Sequence, residues 1–300
     1  MKTDLDCLPC VMRQTVEAAR RATSDHACME TIVGKALPLM GNIDLGEPSP
    51  VFIGAVHRVV RDVTGSSDPY KEAREACNRK VLELYPSLKK LIVESSNPLE
   101  TALRMAIAGN TIDFVVNPQA DETDLGKAVQ EGLDAPIPRS SFEEFAEAAS
   151  RAKDILYLGD NAGEIVFDRL LVEELSTVPV TYVVRGSPVI NDVTMDDARD
   201  SGMCGIAEVI DNGSDFPGTI LRDCSDSFRQ RFQTADMIIS KGQGNYESLD
   251  DADKNIVFLF KVKCSVVARH LDQEIGTLML LANSGDRSVQ TRTGSAMTTG

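Results

Sequence analysis

The stretch Ile155-Leu156-Tyr157-Leu158-Gly159-Asp160-Asn161-Ala162-Gly163-Glu164-Ile165-Val166-Phe167-Asp168 decides how the chain is read. Its first four residues are apolar and predict a buried strand. A turn from Gly159 to Gly163 follows, and then Ile165, Val166, Leu170 and Leu171 recur at helical spacing, so the unit reads as strand, turn, helix. The polar turn therefore falls at the carboxyl end of a strand. Open α/β sheets bind ligands there, beside helix N-termini whose free N–H groups attract anions. Asp160 and Asn161 offer two hard oxygen donors on adjacent residues, while Gly159 and Gly163 let backbone approach closely. Taken alone, such a pair serves equally well as a helix cap.

The same pattern recurs downstream and tips the balance towards a site. Val178 to Val184 reads as a strand ending in Arg185-Gly186-Ser187-Pro188-Val189-Ile190-Asn191-Asp192. Ala207 to Ile210 ends in Asp211-Asn212-Gly213, and Ala235 to Ser240 leads into Lys241-Gly242-Gln243-Gly244-Asn245. The last strand is read at Ile256 to Phe260, continuing to Lys263-Cys264. Alternating strands and helices imply a mostly parallel sheet with every tip on one edge. The tail from Asn283 to Gly300 is rich in Ser, Thr and Gly and is expected to be a surface strand or frayed end.

Upstream of residue 150 the text is mainly helical. Val51 to Val63 predicts an amphipathic helix, and Tyr70 to Leu84 a second with Asp68 as N-cap and Pro69 at its start. Pro98 to Ala108 makes a third, ending in Gly109-Asn110-Thr111-Ile112-Asp113, and a short helix is expected at Leu125 to Gln130. His26 and His57 read as ordinary helix residues. The fold class is thus α/β, with residues 1–150 a mainly helical domain contributing to the substrate cleft and residues 151–300 a Rossmann-like domain carrying the site.

The chain of 300 residues has a formal net charge of −15. Nucleic acid and anionic membrane surfaces need a basic face, so both are excluded as partners. No apolar run approaches the about 20 residues that span a bilayer, and no leader is evident, so a cytoplasmic location is expected. Seven cysteines are an odd number and make no disulfide framework. Cys7 and Cys10 form a Cys-x-x-Cys at a helix start, where thiol pKa values fall, which marks them for a structural role or for redox or soft-metal chemistry.

If the tips converge, Asp160, Asn161 and Asp192 would ligate one hard divalent cation, magnesium or manganese rather than zinc. Lys241, read as a mobile lysine in a glycine-flanked loop, would meet a phosphate. Together they make a phosphate-ester hydrolase. Glu164 and Asp168 would orient water or the metal shell, or simply stabilise the first helical turn.

These residues carry a resemblance. Cys7-Leu8-Pro9-Cys10 with Gln14, Asp68-Pro69-Tyr70, Gly109-Asn110-Thr111-Ile112-Asp113, Gly159-Asp160-Asn161-Ala162-Gly163-Glu164, Arg185-Gly186-Ser187-Pro188 with Asn191-Asp192, Lys241-Gly242-Gln243-Gly244-Asn245 and Lys263-Cys264 stand in order along the chain. Together they resemble the metal-dependent damage-control phosphatases, domain of unknown function 89, in the prokaryotic branch with an N-terminal Cys-x-x-Cys. The resemblance implies a helical region on a Rossmann-like domain and a metal on Asp160, Asn161 and Asp192. It further implies a phosphate-contacting Lys241 and substrate contacts from Asn110 and Asp113. Gly242, Asn245, Gly163, Glu164 and Arg185 fall in the same motifs and are expected at the phosphate or substrate. Manganese, cobalt, nickel or magnesium would serve, and the substrates would be phosphorylated small metabolites such as damaged sugar phosphates or phosphopantetheine compounds. Two other readings remain: an S-adenosylmethionine-dependent methyltransferase, suggested by the glycine-containing turn after the first strand, and a non-enzymatic metal or redox module centred on Cys7 and Cys10.

Overall fold

The computed structural model describes residues 1–110 and 122–284. Its helices are α1 (Cys7–Ala22), α2 (His26–Gly41), α3 (Ser49–Thr64), α4 (Lys71–Glu94), α5 (Pro98–Gly109), α6 (Glu122–Asp134), α7 (Arg139–Arg151), α8 (Glu164–Glu174), α9 (Met195–Asp200), α10 (Asp226–Thr234), α11 (Gln243–Leu249) and α12 (Ser265–Leu271). The strands are β1 (Ile155–Leu158), β2 (Val180–Val184), β3 (Glu208–Asp211), β4 (Met237–Lys241), β5 (Asn255–Lys261) and β6 (Leu278–Ser284).

The strands form one sheet in the order β3-β2-β1-β4-β5-β6, parallel except for β6. This is the order of a doubly wound sheet, whose direction of winding reverses between β1 and β4. A crevice opens there because the connections leave on opposite sides. The turn Gly159 to Gly163 thus stands at the switch point.

The two-residue period of the strands explains the layers. Ile155, Tyr157, Met237, Ile239, Val257 and Leu259 face one core with residues of α4, α5, α7 and α8. Leu156, Leu158, Ile238, Ile256, Phe258 and Phe260 face a second core under α10, α11 and α12. The first core takes Leu103 and Phe145 from before residue 150 as well as Phe167 and Val184 from after it. Helices α1 to α3 pack separately around Val11, Phe52, Ala18 and Val60. They are tied to the sheet edge by Arg61, which donates to the Pro188 carbonyl at 3.2 Å, and by the Arg58–Asp215 ion pair at 2.5 Å.

Four sequence expectations are corrected. β6 begins at Leu278, before the tail that the sequence marks from Asn283 as a surface strand or frayed end; it pairs with β5 over seven residues, and Asn283 lies within it. Its apolar run is short and follows a turn, so periodicity alone carries little signal. Helix α4 continues through Pro86 to Glu94, ten residues past the expected end at Leu84, as packing of Leu88 and Ile92 in the first core overrides the proline. The α6 helix likewise exceeds its expected bounds. Asp68 does not cap α4. It accepts from the Tyr70 N–H and pairs with Arg74, which also reaches Asp197. No helix among the described residues is long and apolar enough to cross a membrane.

Candidate active site

The turn after β1 is shaped from two sides. Its backbone pairs with the segment after β2: the Val193 N–H donates to the Asp160 carbonyl at 2.8 Å and the Ala162 N–H to the Asn191 carbonyl at 2.9 Å. An isolated antiparallel bridge joins Asn161 to Asp192. Residues 31 positions apart in sequence are thereby set side by side. From the helical region, Asn78 on α4 accepts from the Gly163 N–H at 2.6 Å, and Cys77 donates to the Ala162 carbonyl at 3.4 Å. Gly163 has φ +79°, and a Cβ there would overlap the Cys77 thiol, so only glycine fits.

Asp160 lies at the switch point against β4. Its Oδ2 accepts from Asn110 Nδ2 at 2.9 Å and from Asn161 Nδ2 at 2.7 Å. The same two amides donate to Glu164 Oε2, at 2.9 Å and 3.2 Å. Asn110 ends α5 and also accepts from the Lys261 N–H, so it ties the helical region to two strand ends. Asp192 accepts from Arg185 Nε at 2.6 Å.

Asp160, Glu164, Asp168 and Asp192 are all buried, as are Lys241 and Arg185. Lys241 neutralises one of the Glu164 and Asp168 charges, and Arg185 neutralises Asp192. Two negative charges are left without a buried counter-charge. The Asp160 carboxyl is accordingly pushed well above its ordinary range, first by burial and then by Glu164 and Asp192; Lys263 and Arg185 only partly relieve it. Burial also raises Asp192 against the pull of Arg185. A buried pair of excess negative charges lined with oxygen donors suits a divalent cation. Among the described residues no group of three or more His, Cys, Asp and Glu side chains is arranged to hold a metal ion. The expected set has two carboxylates and one amide, so its fit turns on Asn161. There the chemistry agrees: Nδ2 faces two carboxylates, and Oδ1 accepts no hydrogen bond among the described residues.

Several residues expected at the ligand have partners within the chain. Lys241 is not a mobile loop residue. It ends β4, is fully buried, and donates to Glu164 Oε1 at 2.6 Å, Asp168 Oδ1 at 2.5 Å and the Ala106 carbonyl at 2.8 Å. These three acceptors engage all three of its ammonium protons. Asn245 is fully buried and joins the Gly159 and Lys241 carbonyls to Thr219 and Arg185. Arg185 is likewise spent on Asp192, Thr219 and Asn245. Glu164 and Asp168 do more than stabilise a first turn, since both hold Lys241. Gly242 has φ +81° and passes against the Asp160 carboxylate. Asp113 lies outside the described residues.

Lys263, which the sequence marks both by its place after a buried strand and as part of the Lys263-Cys264 motif but without a role, lies just past β5, is exposed, and eases the charge on Asp160. Cys7 does begin α1, but burial and the nearby Glu247, Cys264 and Asp4 raise its thiol pKa, contrary to the lowering expected at a helix start.

Residues 3–279 match the model of the damage-control phosphatase ARMT1-like domain. The chain belongs to this family. A damage-control phosphatase of Archaeoglobus fulgidus is 32% identical over 289 residues, covering 93% of this chain and 98% of the relative. One of Pyrococcus horikoshii is 33% identical over 293 residues, covering 94% and 99%. The crystal structure of a DUF89 family protein from Pyrococcus horikoshii superposes with a TM-score of 0.86 at 30% identity, over 94% of this chain and 99% of that one. Membership of the ARMT1-like damage-control phosphatases supports a phosphatase role for the chain.

Proposed function

We propose that the protein is a metal-dependent phosphatase that hydrolyses phosphate monoesters of small metabolites, with Asp160, Asn161 and Asp192 holding one divalent cation. The observation that carries this is the Asn161–Asp192 backbone bridge, which sets these two residues side by side next to Asp160, where two buried negative charges lack a buried counter-charge. Oxygen-only donors favour manganese or magnesium, with cobalt or nickel as substitutes. When bound, the cation would polarise the phosphoryl group and acidify a water. The chain's own residues do the rest. Asn110 and Asn161 fix the Asp160 carboxylate by hydrogen bonds, and Arg185 fixes Asp192. Lys263 draws the phosphate to the open edge and offsets its charge. Lys241 balances Glu164 and Asp168 from below and does not touch the ester.

Residues 1–110 contribute the cleft wall through Asn110, Asn78 and Cys77. Sugar phosphates and phosphopantetheine compounds are the substrate classes to try first, in keeping with the damage-control name of the relatives. A cytoplasmic site of action agrees with seven free cysteines. The test is phosphate release from such a panel by chelator-treated protein, with and without added manganese. Release that needs the metal and disappears in Asp160→Ala supports the reading; release that survives chelation contradicts it.

A further inference from the structure

Beneath the carboxylates lies a second layer that the reaction does not need for contact with substrate. Asp168 on α8 accepts from Tyr157 on β1 at 2.8 Å through Oδ1 and from Tyr182 on β2 at 2.8 Å through Oδ2. The tyrosine rings stack with centroids 5.3 Å apart, and burial beside Asp168 keeps both hydroxyls protonated and donating. Asp168 Oδ1 also accepts a hydrogen bond from Lys241 Nζ. The Ala106 carbonyl accepts a second, so the ammonium is aimed in three fixed directions, the third at Glu164 Oε1. Glu164 is thereby held so that Oε2 accepts from Asn110 and Asn161. The Asn161 amide is oriented by these contacts: Nδ2 donates to Asp160 Oδ2 and Glu164 Oε2, which turns Oδ1 away from both.

We propose that Asp168 is a positioning residue: with Tyr157 and Tyr182 it fixes Lys241, Lys241 fixes Glu164, and Glu164 presents the Asn161 amide oxygen to the cation. This rests on the metal-dependent reading above. Asp168 hydrogen-bonds none of Asp160, Asn161 and Asp192, so its influence passes through its partners: through Lys241 and Glu164, and through Tyr182, whose hydroxyl also lies against Gly159 beside Asp160. Outer partners of this kind govern how well inner ligands are oriented, and their loss weakens metal binding by about 10- to 100-fold. A purely structural Asp168 would instead serve only to neutralise buried Lys241, and its loss would lower stability without touching metal affinity.

The experiment is isothermal titration of metal-free protein with manganese, alongside thermal unfolding, for wild type, Asp168→Asn and the double variant Tyr157→Phe with Tyr182→Phe. The double variant keeps every charge and removes only the two hydroxyl donors. The expected result is a manganese affinity about 10- to 100-fold weaker in Asp168→Asn and a smaller loss in the same direction in the tyrosine variant. If Asp168→Asn does not fold, the tyrosine variant decides alone. Variants that melt earlier yet bind manganese as wild type does overturn the positioning role and leave the phosphatase reading standing. Wild-type protein that binds no manganese overturns both.

Discussion

Gly242 and Asp160 are packed so closely that a Cβ added to Gly242 would overlap the Asp160 carboxylate. The two residues follow β4 and β1, neighbouring strands at the switch point. Gly242 also has φ +81° and ψ 156°, a backbone that side chains resist. Gly242→Ala should therefore both strain the backbone, by about 1–3 kcal/mol, and displace Asp160. Activity is expected to fall at least tenfold. Gly244→Ala is the control, because its Cβ would meet nothing nearer than Gly218 at 3.6 Å. Comparison of kcat and of Tm for the two variants checks this.

The two lysines should behave oppositely. Lys241→Met leaves Glu164 and Asp168 buried without their partner, and breaking such a pair costs about 3–5 kcal/mol. Lys263 is exposed, so Lys263→Ala should keep the wild-type Tm while raising KM for a phosphate ester. Denaturant unfolding and steady-state kinetics on both variants separate the roles. Equal effects of the two on KM would contradict the assignment.

The pH dependence has a definite sign. Asp160 and Asp192 are raised above their ordinary values, chiefly by burial, and Asp168 is raised to about 6. A carboxyl raised on folding adds stability while protonated, in acid, and that stability is lost as pH climbs from the unfolded value through the folded one. The metal-free protein should thus carry a falling contribution from these groups as pH climbs above about 4, with the Asp168 part lost around pH 6. Manganese binds the ionised forms, so the rise in Tm on adding it should grow over the same interval. A rise in Tm that is the same at pH 5 and pH 7.5 would count against ligation by Asp160 and Asp192.

Cys7→Ser and Cys10→Ser should leave metal-dependent phosphate release within twofold of wild type. Burial raises the Cys7 thiol, and neither cysteine hydrogen-bonds Asp160, Asn161 or Asp192. Loss of activity in either variant would revive the reading of the Cys-x-x-Cys as the functional centre.

How much of this could be read from the sequence depends on range. β1, β2 and β4 were legible because buried parallel strands are short unbroken apolar runs bounded by turn residues. The meeting of Asp160 and Asn161 with Asp192 followed from the sheet rule that strand tips share an edge. The fate of Lys241 did not follow. Whether a lysine at a strand end points along the edge or into a core depends on residue parity, and one position decides it: Ser240 faces the α11 side and Lys241 the α5 and α8 side, where Asp168 waits 73 residues away in sequence. Nor could the start and partner of β6 be seen, since its pairing with β5 is a long-range choice rather than a local pattern.

The central claim is that one divalent cation is held by Asp160, Asn161 and Asp192. The most direct measurement is the stoichiometry and affinity of manganese binding to metal-free protein by isothermal titration, in wild type and in Asp192→Ala. The account predicts one site per chain in the wild type and its loss in the variant, with the fold intact by circular dichroism. A variant that still binds one manganese ion with unchanged affinity would contradict it.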